Sequence, residues 1–212
     1  GIIPGIDPAP GTNEFNRTTA MALLQKSGWI KTDGNEILTN KEEKLTLKLT
    51  TSTWPELVEV AQKIKDQWKE VGIDLQIETL PTVDLQQVIR DRNYQMLLFG
   101  EILSLDPDPF SLWHSSQKRD PGLNLSLYDN KAADTILEDA RKTLDPIGRM
   151  AKYDEFEKLV VDELQTLFLY SPFYLYGHSQ QVKGFRTEVM SIPSDRFMDI
   201  MSWYIETKRI RR

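Results

Sequence analysis

The residues in this chain best suited to chemistry are the carboxylates of Asp106-Pro107-Asp108-Pro109, with Glu101 shortly before them and Trp113 shortly after. Two aspartates this close could form an acid/base pair or open a calcium loop. An EF-hand loop needs further oxygen donors at fixed offsets and a closing glutamate, which this segment lacks. Aspartate before proline is ordinary turn chemistry, and that role outweighs catalysis here. A hydrolase or transferase using Asp106 and Asp108 would need another base or metal ligand facing the loop, and the sequence offers none. His114 and His178 are the only 2 histidines. Neither has ligand-spaced carboxylates or cysteines around it, so both are expected to be structural. No G-x-G-x-x-G or P-loop phosphate motif occurs, and no G-x-S-x-G elbow. The expectation is therefore no catalytic centre, no metal and no cofactor.

The elements that position the acidic loop are legible from periodicity. Met96-Leu97-Leu98-Phe99-Gly100 is a continuous apolar run opening directly into the loop, as in α/β proteins that present a ligand site at the carboxyl end of a sheet. Leu45, Leu47 and Leu49 alternate with polar residues and predict a half-buried strand. Pro55 suits a first helical turn, and Leu57, Val60, Ala61, Ile64, Trp68 and Val71 line one face before Gly72 closes it. Ile73, Leu75 and Ile77 alternate again, which makes a βαβ unit with parallel strands. A second unit follows, with a helix over 82–90 and a strand over 94–99.

Upstream, residues 18–27 have apolar positions at helical spacing, closed by Gly28 and Trp29, and the helix is expected to pack. Downstream, Asp129 or Asn130 caps a helix bearing Ala132, Ala133, Ile136, Leu137 and Ala140 on one face. Asp145-Pro146 opens another, with Met150, Tyr153, Phe156, Val160, Leu164 and Leu167 as its buried stripe. Residues 173–177 and 180–182 read as a returning strand pair, with Lys183-Gly184 as a turn. Trp54, Trp113, Tyr128 and the tyrosines of 170–176 are aromatic candidates for a pocket, with core packing the competing role.

Composition narrows the function classes. The 212 residues are 40% hydrophobic and 27% charged, an ordinary globular balance. A formal charge of −6 argues against nucleic acid, which needs clustered Lys and Arg. The absence of cysteine excludes disulfides and thiolate chemistry, and fits an exported bacterial protein. No apolar run reaches the roughly 20 residues needed to span a bilayer. Gly1 in place of an initiator Met suggests a processed or excised piece. Asn16-Arg17-Thr18 and Asn124-Leu125-Ser126 match the glycosylation triplet, a pattern short enough to arise by chance.

These pieces, taken in order, resemble the extracytoplasmic solute-binding proteins of ABC importers, in the peptide- and nickel-binding group called family 5. The series comprises the Ala20-Met21-Ala22-Leu23-Leu24 helix to Gly28-Trp29, residues 45–50, the helix and strand from Ala61 to Gly72-Ile73, and Asp106-Pro107-Asp108-Pro109 with Trp113. It continues through Asn124, Tyr128, Asn130, Asp134, Ala140-Arg141, Arg149, Tyr153 and Val182-Lys183-Gly184. The resemblance implies an α/β fold: a lobe like those of type II periplasmic binding proteins, with a mixed sheet and flanking helices.

The implied organisation is an irregular lead-in over 1–17, a C-terminal lobe over 18–191, and a tail over 192–212 that returns to the first lobe in full-length relatives. That tail would pack on its own lobe, move freely or swap with a neighbour. The implied role is non-enzymatic capture of a peptide or other small solute, outside the membrane in the periplasm or as a lipid-anchored surface protein. The implied partners are the first lobe of the same protein and the membrane permease of an ABC importer.

The ligand-binding residues implied are Glu101, Ile102, Leu103, Ser104, Leu105, Asp106 and Trp113, with Arg90, and Arg92 beside it, as candidates for a ligand carboxylate. Peptide-binding relatives place an aspartate at the position of Ser104 or Leu105 to pair with the peptide's amine. Neither residue is acidic here, so Glu101 or Asp106 substitutes, or the ligand is a blocked peptide or non-peptide solute. A sensor on the same scaffold is the other binding-protein alternative.

Overall fold

The computed structural model of the chain describes residues 15–32, 34–102, 108–186, 190 and 192–206. Its contacts fall into two compact units. Of the described residues, a sheet unit holds 15–32, 34–100 and 111–134, and a helical unit holds 101–102, 108–110, 135–186, 190 and 192–206.

In the sheet unit, α1 (Arg17–Lys26) begins with the Asn16 side chain accepting the Thr19 N–H at 2.9 Å. It closes in a Schellman motif at Gly28, whose φ of +91° suits glycine: Gly28 N–H bonds to Gln25 O and Trp29 N–H to Leu24 O, both at 3.0 Å. Contrary to the expected packing, α1 buries no side chain. Spacing that suffices to form the helix leaves Leu23 59% exposed, and an ion pair from Arg17 to Glu70 ties the helix down.

The short antiparallel pair β1 (Thr39–Asn40) and β2 (Glu43–Lys44) leads into β3 (Thr46–Ser52). Then come α2 (Pro55–Lys69), β4 (Asp74–Leu80), α3 (Thr82–Asp91) and β5 (Met96–Leu97). The resulting sheet is parallel, in the order β4-β3-β5, with Leu49 opposite both Ile77 and Met96. Antiparallel pairing among the described residues lies outside this sheet, in two separate two-stranded ladders and a bridge between Ile30 and Thr39. Leu49, Leu75 and Leu98 bury against Ala61 of α2, with Leu57, Val60, Ile64 and Trp68 packed around them. Gly72 closes α2 at φ +84°, where a Cβ would come within 2.7 Å of the Leu38 side chain.

Strand alternation holds only for the first half of β3, because Thr50 and Thr51 are both fully buried. Each hydroxyl has a partner: Thr50 donates to Glu78 at 3.0 Å, and Thr51 to Leu98 O at 2.8 Å. The strand expected over 94–99 is shorter, because the Gln95 side chain accepts the Lys48 N–H at 2.7 Å and the ladder starts only at Met96.

The segment after α4 (Phe110–Trp113) is organised by Asn124, which is wholly buried. Its amide nitrogen lies within 2.9–3.2 Å of the carbonyls of Tyr128, Trp113 and His114, and its oxygen accepts the Tyr128 N–H at 3.0 Å. Two amide hydrogens facing three carbonyls means that one is shared. A side chain so enclosed is no glycan acceptor.

α5 (Lys131–Lys142) crosses from one unit to the other. In the helical unit α6 (Pro146–Glu163) starts as expected, with Asp145 accepting the Gly148 N–H at 2.8 Å, and buries Tyr153, Phe156 and Val160. The helix ends before Leu164, which takes φ +53°, so Leu164 and Leu167 are exposed and do not extend the stripe. The expected hairpin is also corrected. Residues 173–177 form no strand, and β6 (Val182–Lys183) pairs instead with β7 (Tyr204–Ile205) in the expected tail. Gly184 follows β6 at φ +79°, with Ser202 O where a Cβ would stand.

Asn124→Ala removes the amide that donates to these carbonyls and accepts the Tyr128 N–H, leaving buried backbone groups unsatisfied. It is expected to lower the unfolding free energy by about 2–4 kcal/mol in urea denaturation. A change below about 1 kcal/mol would show that the loop has other support.

Candidate ligand-binding segment

From β5 the chain runs through buried Leu98 and half-exposed Phe99 to Gly100, then to Glu101 and Ile102, which are exposed. Leu103, Ser104, Leu105 and Asp106 lie outside the described residues. Although Glu101 as a residue is exposed, desolvation pushes its carboxyl above the usual carboxylate range.

Asp108 is committed to structure. Arg141, in the last turn of α5, grips it with Nε at 3.1 and 3.0 Å from the two carboxylate oxygens and Nη2 at 2.5 Å from Oδ2. The hydrogen bonds from Arg141 to Asp108 raise the guanidinium pKa above its usual value. The guanidinium lies 3.7 Å above the centre of the Phe110 ring, and Asp108 also accepts the Phe110 N–H at 3.3 Å. A carboxylate held by a bidentate cation is poorly suited to attack a substrate or take a proton. Among the described residues, no group of three or more His, Cys, Asp or Glu could hold a metal ion.

In the sheet unit, Arg90 is exposed in the last turn of α3 and donates to Gln87 at 2.7 Å. It borders a shallow depression of about 660 Å³ with Arg92, Lys118 and Arg119 against Asp91, Asp120 and Asp129. Arg92, weighed above for a ligand carboxylate, is structural. It holds the left-handed C-cap of α3 at φ +54° and donates to Lys118 O at 3.0 Å, Gly122 O at 2.6 Å and Ile89 O. Lys118 pairs with Asp129.

Of the aromatic candidates, Trp113 and Tyr128 are buried together, edge to face at 6.0 Å, while Trp54 is 67% exposed. Tyr170 and Tyr174 are about half exposed. His114 is a turn residue: its Nδ1 accepts the Ser116 N–H at 3.1 Å, and Asp134 accepts Ser115 N–H and Oγ–H at 2.8 and 2.5 Å. His178 stacks on Phe185 at 4.7 Å in the helical unit.

Sequence reasoning gave no role to Phe110 or Arg141. A basic residue in the last turn of a helix suits the helix dipole wherever it occurs, so beyond its place in the family series Arg141 carried no signal of a partner.

With so little of its indole exposed, Trp113 is expected to behave as a packing residue. Trp113→Ala should lower stability by about 3–5 kcal/mol in denaturant titration. Normal stability with altered solute affinity would instead assign the ring to ligand contact.

Comparison with known proteins agrees with this architecture. Residues 1–122 match the family model described as bacterial extracellular solute-binding proteins, family 5 Middle. The chain is 25% identical over 195 residues to the oligopeptide-binding protein AppA of Bacillus subtilis (strain 168), which covers 91% of this chain but 35% of AppA. The structure of AppA in complex with a nonapeptide superposes with a TM-score of 0.73 at 23% identity, over 92% of this chain and 38% of AppA. NikZ from Campylobacter jejuni in complex with Ni(L-His) gives 0.68 at 20% identity, over 90% of this chain and 39% of NikZ. DppA from Helicobacter pylori in complex with the peptide STSA gives 0.68 at 21% identity, over 97% of this chain and 38% of DppA. The chain thus spans about a third of the length of these relatives. With more than half of its residues matched to the family model, and its α/β organisation shared with these structures, the chain belongs to the bacterial extracellular solute-binding proteins of family 5.

Proposed function

We propose that this chain is the C-terminal lobe of a two-lobed substrate-binding protein of an ABC importer, taking up oligopeptides outside the membrane. The observation that carries this reading is the likeness to peptide-bound AppA, which extends over nearly all of this chain but only 38% of AppA. On this reading residues 18–191 form the lobe, preceded by the lead-in 1–17, and residues 192–212, whose β7 pairs with β6 of this lobe, are the tail that would go on to the first lobe in a full-length protein. The solute lies between the lobes, and closure stabilises the bound state because both contribute contacts. The closed form is then presented to the permease, and the protein works in the periplasm or held at the cell surface by a lipid. No bond is made or broken.

The residues proposed to meet the solute are Glu101, Ile102, Leu103, Ser104, Leu105 and Asp106, together with Arg90, while Trp113, buried against Tyr128, is left to packing. With no acid at 104 or 105, a peptide ammonium would be met by Glu101 or Asp106. A non-peptide solute is the second reading, favoured by that same absence of an acid and by the Ni(L-His) complex of NikZ.

Native mass spectrometry of the full-length gene product, purified mildly, tests the proposal. A series of peptide masses supports it, whereas a single non-peptide mass would move the assignment to a specialised solute.

Glu101 adds a pH dependence with a definite sign. Desolvation raises its pKa, so its charged form, which pairs with an ammonium, fills only as pH climbs through that raised value. Affinity for a free-amine peptide should therefore be weaker at about pH 5 than at about pH 7. Glu101→Gln should flatten the profile in calorimetric titrations. An unchanged profile in that variant would remove Glu101 from the ammonium site.

A further inference from the structure

We infer that residues 173–177 are an unpaired strand, and that its partner is a sheet edge in the part of the full-length protein beyond this chain. The inference rests on the reading that the chain is one lobe of a longer protein. Exposure alternates along the segment: Phe173 is 93% exposed, Tyr174 44% and Leu175 90%, and Tyr176 is half-buried. Such alternation belongs to extended backbone, where successive side chains point to opposite faces.

One of those faces is already held. Arg196 donates to the Tyr174 hydroxyl at 2.9 Å and lies 5.4 Å from the centre of the Tyr176 ring, which stacks on Phe185 at 5.5 Å. The other face, Phe173 and Leu175, stands in solvent. Among the described residues, the backbone groups of 173–177 have no backbone partner. A row of free N–H and C=O groups beside an apolar face is a template for another strand. Pro172, which has no N–H, precedes the segment and suits the start of a strand.

Proteins that leave a strand edge in water guard it with charges, Lys above all. Residues 164–182 contain no Asp, Glu, Lys or Arg, in a chain that is 27% charged. Leu164, Leu167, Phe168, Leu169 and Tyr170 add further exposed apolar surface just upstream. An apolar edge without guards calls for a cover. Length argues for the occupant: the match to AppA takes in 91% of this chain but 35% of AppA, so most of a protein of that size lies outside the chain. A second copy pairing edge to edge is the competing occupant.

The experiment uses the full-length gene product. Alternate amides within 173–177 are expected to exchange about 100-fold more slowly than in unstructured peptide, at high dilution as well as at high concentration. Phe173→benzoylphenylalanine keeps an aromatic ring and adds a photoreactive ketone, and it is expected to cross-link to residues outside this chain within the same molecule.

Exchange within about tenfold of the unstructured rate would overturn the proposal. Cross-links confined to these 212 residues, a covalent dimer, or a gene product with no further polypeptide would overturn it too. Should the substituted protein fail to fold or to cross-link, wild-type exchange decides: protection that survives dilution supports the pairing, and protection lost on dilution gives the edge to a second copy. Neither readout involves a solute, so an importer reading that fails for want of bound peptide is distinguishable from a failure here.

Discussion

Strand β3 is hydrogen-bonded along both edges, to β4 over seven residue pairs and to β5 over two, and the sheet unit depends on that central position. Thr46 and Lys48 of β3 remain exposed, but Thr50 and Thr51 are buried, and each finds an acceptor on a neighbouring strand segment. Glu78, the acceptor for Thr50, is itself held below the usual carboxylate range, chiefly by its hydrogen bond from Lys48. The same enclosure gives α2 a flat apolar floor and directs the chain leaving β5 toward Glu101.

Beyond the sheet, the irregular segment from Trp113 to Tyr128 needs another source of order, because it has no ladder to satisfy its backbone. Asn124 supplies it by standing in for several backbone partners at once, and Arg92 does the same for the carbonyls of Lys118 and Gly122. Arg92 occupies a left-handed conformation that costs a non-glycine residue about 1–2 kcal/mol. Its three carbonyl contacts offset that strain, so replacing it by glycine would relieve the backbone and lose the tether.

The parts of the fold that were legible in the sequence are those fixed by neighbours along the chain. The β3-α2-β4 unit announced itself through alternation, a helical stripe and Gly72, and α6 through Asp145-Pro146. What failed depended on distant partners. The Gln95 side chain takes a ladder position that no periodicity reveals, and β6 finds its partner some twenty residues downstream of the expected hairpin. Residue type placed Trp113 and Tyr128 among the aromatics of interest but could not tell a core pair from a pocket wall. The acidic loop was read as turn chemistry, which fits Asp108, yet the cation that holds it stands 33 residues away on a helix end. Family resemblance placed Ala140-Arg141 and the Asp-Pro loop in one ordered series without saying that they touch.

The desolvation that raises the Glu101 pKa also bears on what a proposed binding site there could select. A carboxylate short of water is costly to ionise alone, and an incoming ammonium returns the lost stabilisation in a medium where charges attract strongly. Its gain from a cation is therefore larger than that of a well-hydrated surface acid, and its penalty with a neutral ligand is avoided by taking up a proton. One group can in this way serve charged and uncharged solutes at different pH, whereas a fully hydrated aspartate would discriminate weakly.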